Sequence, residues 1–343
     1  MAIFIDVFED VTRLGKKIPT SEYLESGKYP IIDQGQSNIA GYTNEENGLF
    51  TDVPVVIFGD HTRAVKYVDT PFFLGADGVK VLKSKINDVN YKYLYYAISS
   101  VNIPDTGYNR HFKWLKESDI PLPPIERQIE IVNTLDNLTN LIDLHNQQLS
   151  KLDELVKSRF VELFGDCESR VRLGDCCDVH ARIGWQALTK NEHMKTGEYM
   201  LVTGTDFKDG EINYSTCVYV AKERYEMDEH IILKNDDVLI TKDGTIGKVA
   251  IVHNLPKPAT LNAGVFVVRP DNRFNKTYIA NVFRGTLFSD FVEDSKTGAT
   301  IKHLNQKHLV EFMIPVPPIN EQDSFAKFIE QVDKSKIEVR QSL

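Results

Sequence analysis

The residues best equipped for chemistry lie in short polar stretches. The early ones are Gln34-Gly-Gln-Ser-Asn38, Asp60-His-Thr-Arg63 and Tyr108-Asn-Arg-His111. The later ones are Arg182-Ile-Gly-Trp-Gln186, Thr203-Gly-Thr205, Thr241-Lys-Asp-Gly-Thr245 and the run 296–303. Arginine, asparagine and glutamine can bond base edges through two atoms at once, and glycine lets backbone come close to phosphate. The candidate contacts in the first set are Gln36, Asn38, Arg63, Lys66, Asn109, Arg110 and Lys113. In the second they are Arg182, Gln186, Lys242, Thr245, Lys248, Lys302 and His303. Solvated loops have the same composition, so composition leaves both readings open.

Catalytic patterns are missing from the sequence. Lys242-Asp-Gly-Thr-Ile-Gly-Lys248 resembles part of a phosphate loop, but its first glycine is absent and Val249 follows the lysine. There is no serine-hydrolase elbow, zinc-protease helix or deaminase zinc pair. The Asp/Asn-Pro-Pro-aromatic tetrapeptide of adenine methyltransferases is absent too, because isoleucine follows both Pro-Pro pairs. The expectation is no catalytic residue, no metal site and no cofactor. Cys167, Cys176, Cys177 and Cys217 lack metal-ligand spacing and read as reduced thiols of a cytoplasmic protein.

At 343 residues the chain has room for two domains and connecting elements. No apolar run approaches the length of a membrane span, so no membrane partner is expected. The net charge of −9 argues against binding nucleic acid by bulk charge. Residues 125–164 hold seven acids against four bases, whereas the regions 1–124 and 165–318 carry only −3 and −2. A local basic face therefore fits, with weak DNA binding by the chain alone.

These loops need elements to hold them. Residues 125–164 contain neither Gly nor Pro, and their apolar residues recur at a helical period. Leu135, Ile142, Leu149, Val156 and Leu163 fall at heptad position a, and Ile131, Leu138 and Leu152 at d. The spacing predicts a helix roughly 60 Å long that needs partner helices. Ile129, Val132, Leu141 and Leu155 lie outside the seam and are expected to meet a partner protein.

The start of this helix is repeated. Ile120-Pro-Leu-Pro-Pro-Ile125 returns as Ile314-Pro-Val-Pro-Pro-Ile319, and Gln128 returns as Gln322. A second, shorter helix then carries Phe325, Phe328, Val332 and Val339. Upstream, Arg13-Leu-Gly15 matches Arg172-Leu-Gly174, and Ala76-Asp-Gly-Val79 matches Asn262-Ala-Gly-Val265. Lys66 and Lys248 follow corresponding β-like runs, and 297–304 stands where 106–113 stood. Tandem duplication explains this order: domain 1–119, helix 120–165, domain 166–313, helix 314–343.

The two proline phrases, the Gln128 helix and its close Lys151-Leu-Asp-Glu-Leu…Phe164-Gly-Asp166 resemble the specificity subunits of type I restriction–modification systems over the whole chain. The resemblance implies an α+β fold: two homologous mixed α/β target-recognition domains joined by long helices in an antiparallel coiled coil with pseudo-two-fold symmetry. It implies a non-catalytic subunit that reads double-stranded DNA, each domain taking one half of a split site. It implies two methylation subunits using S-adenosylmethionine and restriction subunits using ATP. This chain departs from the pattern in its short first domain and short distal helix. Alternatives are a specificity subunit of a related restriction or defence system, or a coiled-coil adaptor that binds proteins.

Overall fold

In the computed structural model the described residues are 1–75, 77–107, 109–186, 188–294 and 304–342; of Trp185 only the backbone is described. They form two units, Met1–Asp143 and Leu144–Leu343. The first unit contains β1 (Ala2–Ile3), α1 (Phe4–Val7), β2 (Phe8–Asp10), β3 (Tyr29–Ile32), β4 (Gly41–Thr43), β5 (Val55–Gly59), β6 (Val65–Val68), β7 (Phe73–Leu74) and β8 (Val79–Ser84). Then come α2 (Tyr91–Ser99), α3 (Phe112–Lys116), β9 (Asp119–Ile120) and the start of α4 (Ile125–Phe164). The antiparallel sheet β2-β8-β5-β6 is its centre, beside the mixed sheet β4-β3-β7. Every residue of β5 is buried, as its unbroken Val-Val-Ile-Phe run requires of a strand covered on both faces. Val56 and Phe58 join one core with α2, α3 and Val132, while Val55 and Ile57 join another with Ile32 and Leu74. Helix α2 turns Tyr93, Leu94, Ala97 and Ile98 inward.

The second unit repeats this topology. Its strands are β10 (Arg170–Arg172), β11 (Cys177–Ala181), β12 (Tyr199–Val202), β13 (Phe207–Lys208), β14 (Glu211–Ile212) and β15 (Val218–Val220). After α5 (Lys222–Tyr225) come β16 (Val238–Thr241), β17 (Val249–Ile251), β18 (Ala259–Leu261) and β19 (Val265–Pro270). Helices α6 (Lys276–Arg284), α7 (Thr286–Asp294) and α8 (Gln306–Leu309), strand β20 (Met313–Pro315) and α9 (Ile319–Gln341) complete it. Order β11-β19-β16-β17 matches β2-β8-β5-β6, and β15-β12-β18 matches β4-β3-β7. The β13–β14 hairpin and α7 enlarge the second copy.

The duplication reaches individual hydrogen bonds. Asn90 N–H donates to Gln128 Oε1 (3.0 Å), and Gln128 Nε2 donates to the Pro123 carbonyl (2.9 Å). Asn275 N–H donates to Gln322 Oε1 (2.9 Å), and Gln322 Nε2 donates to the Pro317 carbonyl (2.8 Å). Tyr93 and Tyr278 donate their hydroxyls to the carbonyls of Pro121 and Pro315. Asn90 and Asn275 each cap the helix that follows them. The start of each long helix is thus bonded to its own domain.

Helix α9 runs antiparallel to the end of α4. Phe325 meets Phe160 and Phe164 with ring centroids 5.5 Å apart, and eleven residues further along α9 Lys336 bonds Asp153 at 2.7 Å. Phe325, Ile329 and Val332 are buried along this contact. The expected seam does not close throughout: Leu138 and Ile142 are about half exposed. Helix α4 has 40 residues and α9 only 23, so periodicity marks an apolar face without providing its cover. Among the described residues no helix is long and apolar enough to cross a membrane.

Gln322→Leu leaves the Asn275 N–H and the Pro317 carbonyl without the amide that they share. Denaturant unfolding should show a loss of about 1–3 kcal/mol. The exposed control Gln147→Leu should change stability by less than about 0.5 kcal/mol.

Candidate nucleic-acid interface

In the first unit, four loops meet at one end of the central sheet. Gln34 is their hub. Its Nε2 donates to the Asp77 carbonyl (2.9 Å), its Oε1 accepts from His61 N–H (3.1 Å), and its own carbonyl accepts from the Thr62 hydroxyl. Gly78, at φ 94°, gives this amide room, since a Cβ there would lie 2.5 Å from Gln34 Oε1. Asp60 N–H donates to the Gly78 carbonyl (2.7 Å), and His111 N–H donates to the Asp60 carbonyl (2.7 Å). The Asp60 carboxylate accepts from Phe112 N–H (2.8 Å). Gln34, Asp60 and His111 thereby fix the loops from inside. Composition did not distinguish them from their exposed neighbours.

The same backbone ladder recurs in the second unit. Lys242 N–H donates to the Gly264 carbonyl and Leu304 N–H donates to the Lys242 carbonyl, both at 2.9 Å. Lys242 thus stands where Asp60 stands, and Leu304 where His111 stands. This shifts the sequence pairing of 106–113 with 297–304 by two residues. Strand register separates another pair: Lys66 faces Ile57 in β6, and the matching place opposite Leu239 holds Ala250, not Lys248.

The predicted contacts divide by exposure. Gln36, Asn38, Asn109, Arg110 and Lys113 are exposed on the first cluster, and Thr245 and Lys248 on the second. Lys242 is half-buried, with its ammonium 5.2 Å from the centre of the Phe266 ring. Arg63 sits at φ 61°, in the left-handed region that side chains other than glycine seldom adopt. It bonds Asp105 at 2.8 Å and donates to the Ile103 carbonyl. The Gly107 N–H, followed by Arg63, holds the Asp105 carboxyl below its ordinary value. Lys302 and His303 lie outside the described residues.

Three of the expected contacts, Lys66, Arg182 and Gln186, face inward instead of toward a ligand. Lys66 is buried and donates to the carbonyls of Asp33 (2.8 Å) and Ser37 (2.6 Å), so it ties down the 33–38 loop. Burial pushes its ammonium pKa down against the pull of Asp33. Arg182 is 1% exposed and donates to the carbonyls of Leu261 (2.8 Å), Gln186 (3.4 Å) and Arg224 (3.2 Å) and to the Thr260 hydroxyl (3.1 Å). Gln186 is also buried, and its Oε1 accepts from Ile183 N–H. These groups are spent on internal acceptors and cannot reach a base. On α4, Ile129, Leu141 and Leu155 are exposed, but Val132 is 6% exposed and belongs to the first unit's core, so it cannot meet a partner.

The chain matches the model of the type I restriction modification DNA specificity domain twice, over residues 5–154 and 168–343. It belongs to that family. The family's specificity subunits are DNA-recognition chains, and the doubled match coincides with the doubled fold. Among the family's curated members, the EcoR124I/EcoR124II specificity subunit of Escherichia coli is 25% identical over 332 residues, covering 92% of this chain and 82% of that one. A crystal structure of the type I system S subunit from M. genitalium superposes with a TM-score of 0.60 at 18% identity, covering 100% of this chain and 91% of that one. A chain from a study of type I system complex assembly and conformational transition gives 0.54 at 15% identity, covering 98% and 93%. These two likenesses show the fold.

Arg182→Met leaves four internal acceptors without their donor. Thermal or denaturant unfolding should register a loss of about 3 kcal/mol. Arg110→Met, at an exposed position, should leave stability within about 0.5 kcal/mol.

Proposed function

We propose that the chain is the DNA-reading, non-catalytic subunit of a methylation and restriction complex, and that each domain reads one half of a split site. The observation that carries this reading is the shared ladder with different side chains. One backbone arrangement holds Asp60 and His111 in one domain and Lys242 and Leu304 in the other. A common frame with different loops suits separate reading of two sequences, because backbone contacts position and base contacts specify. Domains 1–119 and 166–313 are the readers in this proposal. Segments 120–165 and 314–343 set the spacing between half-sites.

Methylation belongs to partner subunits in this reading, two in number by the family pattern, which carry S-adenosylmethionine. ATP-dependent restriction subunits complete the complex. The exposed Ile129, Leu141 and Leu155 give the methylation subunits apolar side chains on the outside of α4 to dock on, and the uncovered Leu138 and Ile142 add apolar surface on its seam side. The net charge of −9 and the internal pairing of several cations favour DNA binding that becomes tight only in the complex.

The direct test randomises each half-site separately and measures methylation by the reconstituted complex. Arg110→Ala should relax or weaken recognition through one half only, by about 1–3 kcal/mol for a lost bidentate contact. Lys242→Ala should act through the other half only. Equal damage to both halves from either variant contradicts separate reading. Leu141→Lys with Leu155→Lys should abolish co-purification of the methylation subunit while leaving the chain folded; normal assembly would refute docking on this face.

A further inference from the structure

A cavity of about 400 Å³ opens in the second unit where the end of α4 meets α6 and α7. Its walls are Phe160, Val161, Phe164, Val282 and Leu287. Val161 is 62% and Leu287 36% exposed, so apolar surface continues from the interior to the mouth. Lys157, Arg170 and Arg284 also line it, and no described acidic residue does. Neither Lys157 nor Arg170 has an acidic partner among the described residues. Arg284 donates to the Gly210 carbonyl at 3.1 Å and lies near the carboxylates of Asp333, Asp153 and Glu211, so its charge is already balanced. Lys157 and Arg170, two cations without an ion pair among the described residues, stand out beside an apolar cleft in a chain with a net charge of −9.

We propose that this cavity is a docking site for a segment of the methylation subunit that presents a large apolar side chain flanked by carboxylates. The proposal rests on the functional reading above and adds a particular contact to it. The volume suits a site that encloses side chains, and the apolar walls supply the affinity. The cations select an acidic neighbour and disfavour a basic one. Duplex DNA would use the cations but leave the phenylalanine walls without a partner. The site also touches the reading loops. Leu287 and Ser289 of α7 line the cavity, while Phe288 between them packs inward, 3.6 Å from where a Cβ on Gly247 would sit. A segment seated in the cavity therefore braces the 241–248 loop that carries Lys242, Thr245 and Lys248.

The test uses the full chain and its purified methylation subunit. A photo-crosslinking phenylalanine analogue replaces Leu287, and the crosslinked peptide is identified with and without a DNA duplex. The double variant Lys157→Glu, Arg170→Glu is measured beside it; both positions are exposed, and its folding is checked by unfolding. The expected result is a crosslink to a methylation-subunit peptide holding an apolar residue next to Asp or Glu, and at least tenfold weaker subunit affinity in the double variant. Restored affinity when those partner acids are changed to lysine would complete the case. A crosslink to DNA alone, or affinity within twofold of the parent, would overturn the cavity as a docking site. In that event the reading of half-sites survives if the parent complex still methylates its split target. If the parent chain does not bind the methylation subunit at all, both proposals fall together.

Discussion

The Gln322 amide is shut away from solvent at the point where a long helix leaves its domain, and its two ends bond the backbone of the two segments it joins. Gln128 does the same for the first domain. A buried amide is tolerable only when its donors and acceptors are met, so each glutamine demands one position of helix start against capped helix. The Pro-Pro phrase before it presets the chain direction, and a tyrosine hydroxyl closes the carbonyl of that phrase's first proline. The long helix therefore leaves its domain along a defined line. In the proposed function, where the helices set the distance between two readers, each joint needs that rigidity.

The loop end of each domain, the reading end in the proposed function, faces a different demand, because in that proposal its outer side chains vary while its frame stays constant. Backbone hydrogen bonds meet that demand. The links 60–78 and 111–60 in one domain, and 242–264 and 304–242 in the other, use main-chain groups that are available whatever the side chains are. Side-chain locks are then added separately, Gln34 in the first domain and Arg182 in the second, and they do not correspond to each other. Divergence of the locks lets one fold carry two loop shapes.

The sequence made the frame more legible than the site. A run of forty residues without Gly or Pro can hardly be anything but a helix, and α4 spans it fully. The repeated proline phrases located the duplication, and the paired glutamines make the same hydrogen bonds in both copies. Side-chain direction in the loops was less legible. Gln34 and Gln36 look alike in sequence, yet one is bonded inward and the other is exposed, and only loops distant in the chain decide which. Arg182 follows a strand within a polar stretch and reads as a surface cation; its acceptors Thr260 and Leu261 lie 78 and 79 residues away. Heptad spacing identified the apolar face of α4 but could not tell how far a second helix would cover it.

The central claim is that one chain carries two separate readers. It is tested most directly by mapping methylated adenines across a genome in cells that hold the methylation partner, with and without this chain. The account predicts a single asymmetric motif in two defined halves separated by a fixed number of unspecified bases, present only when the chain is present. An undivided motif, or a methylation pattern unchanged by removing the chain, would contradict it.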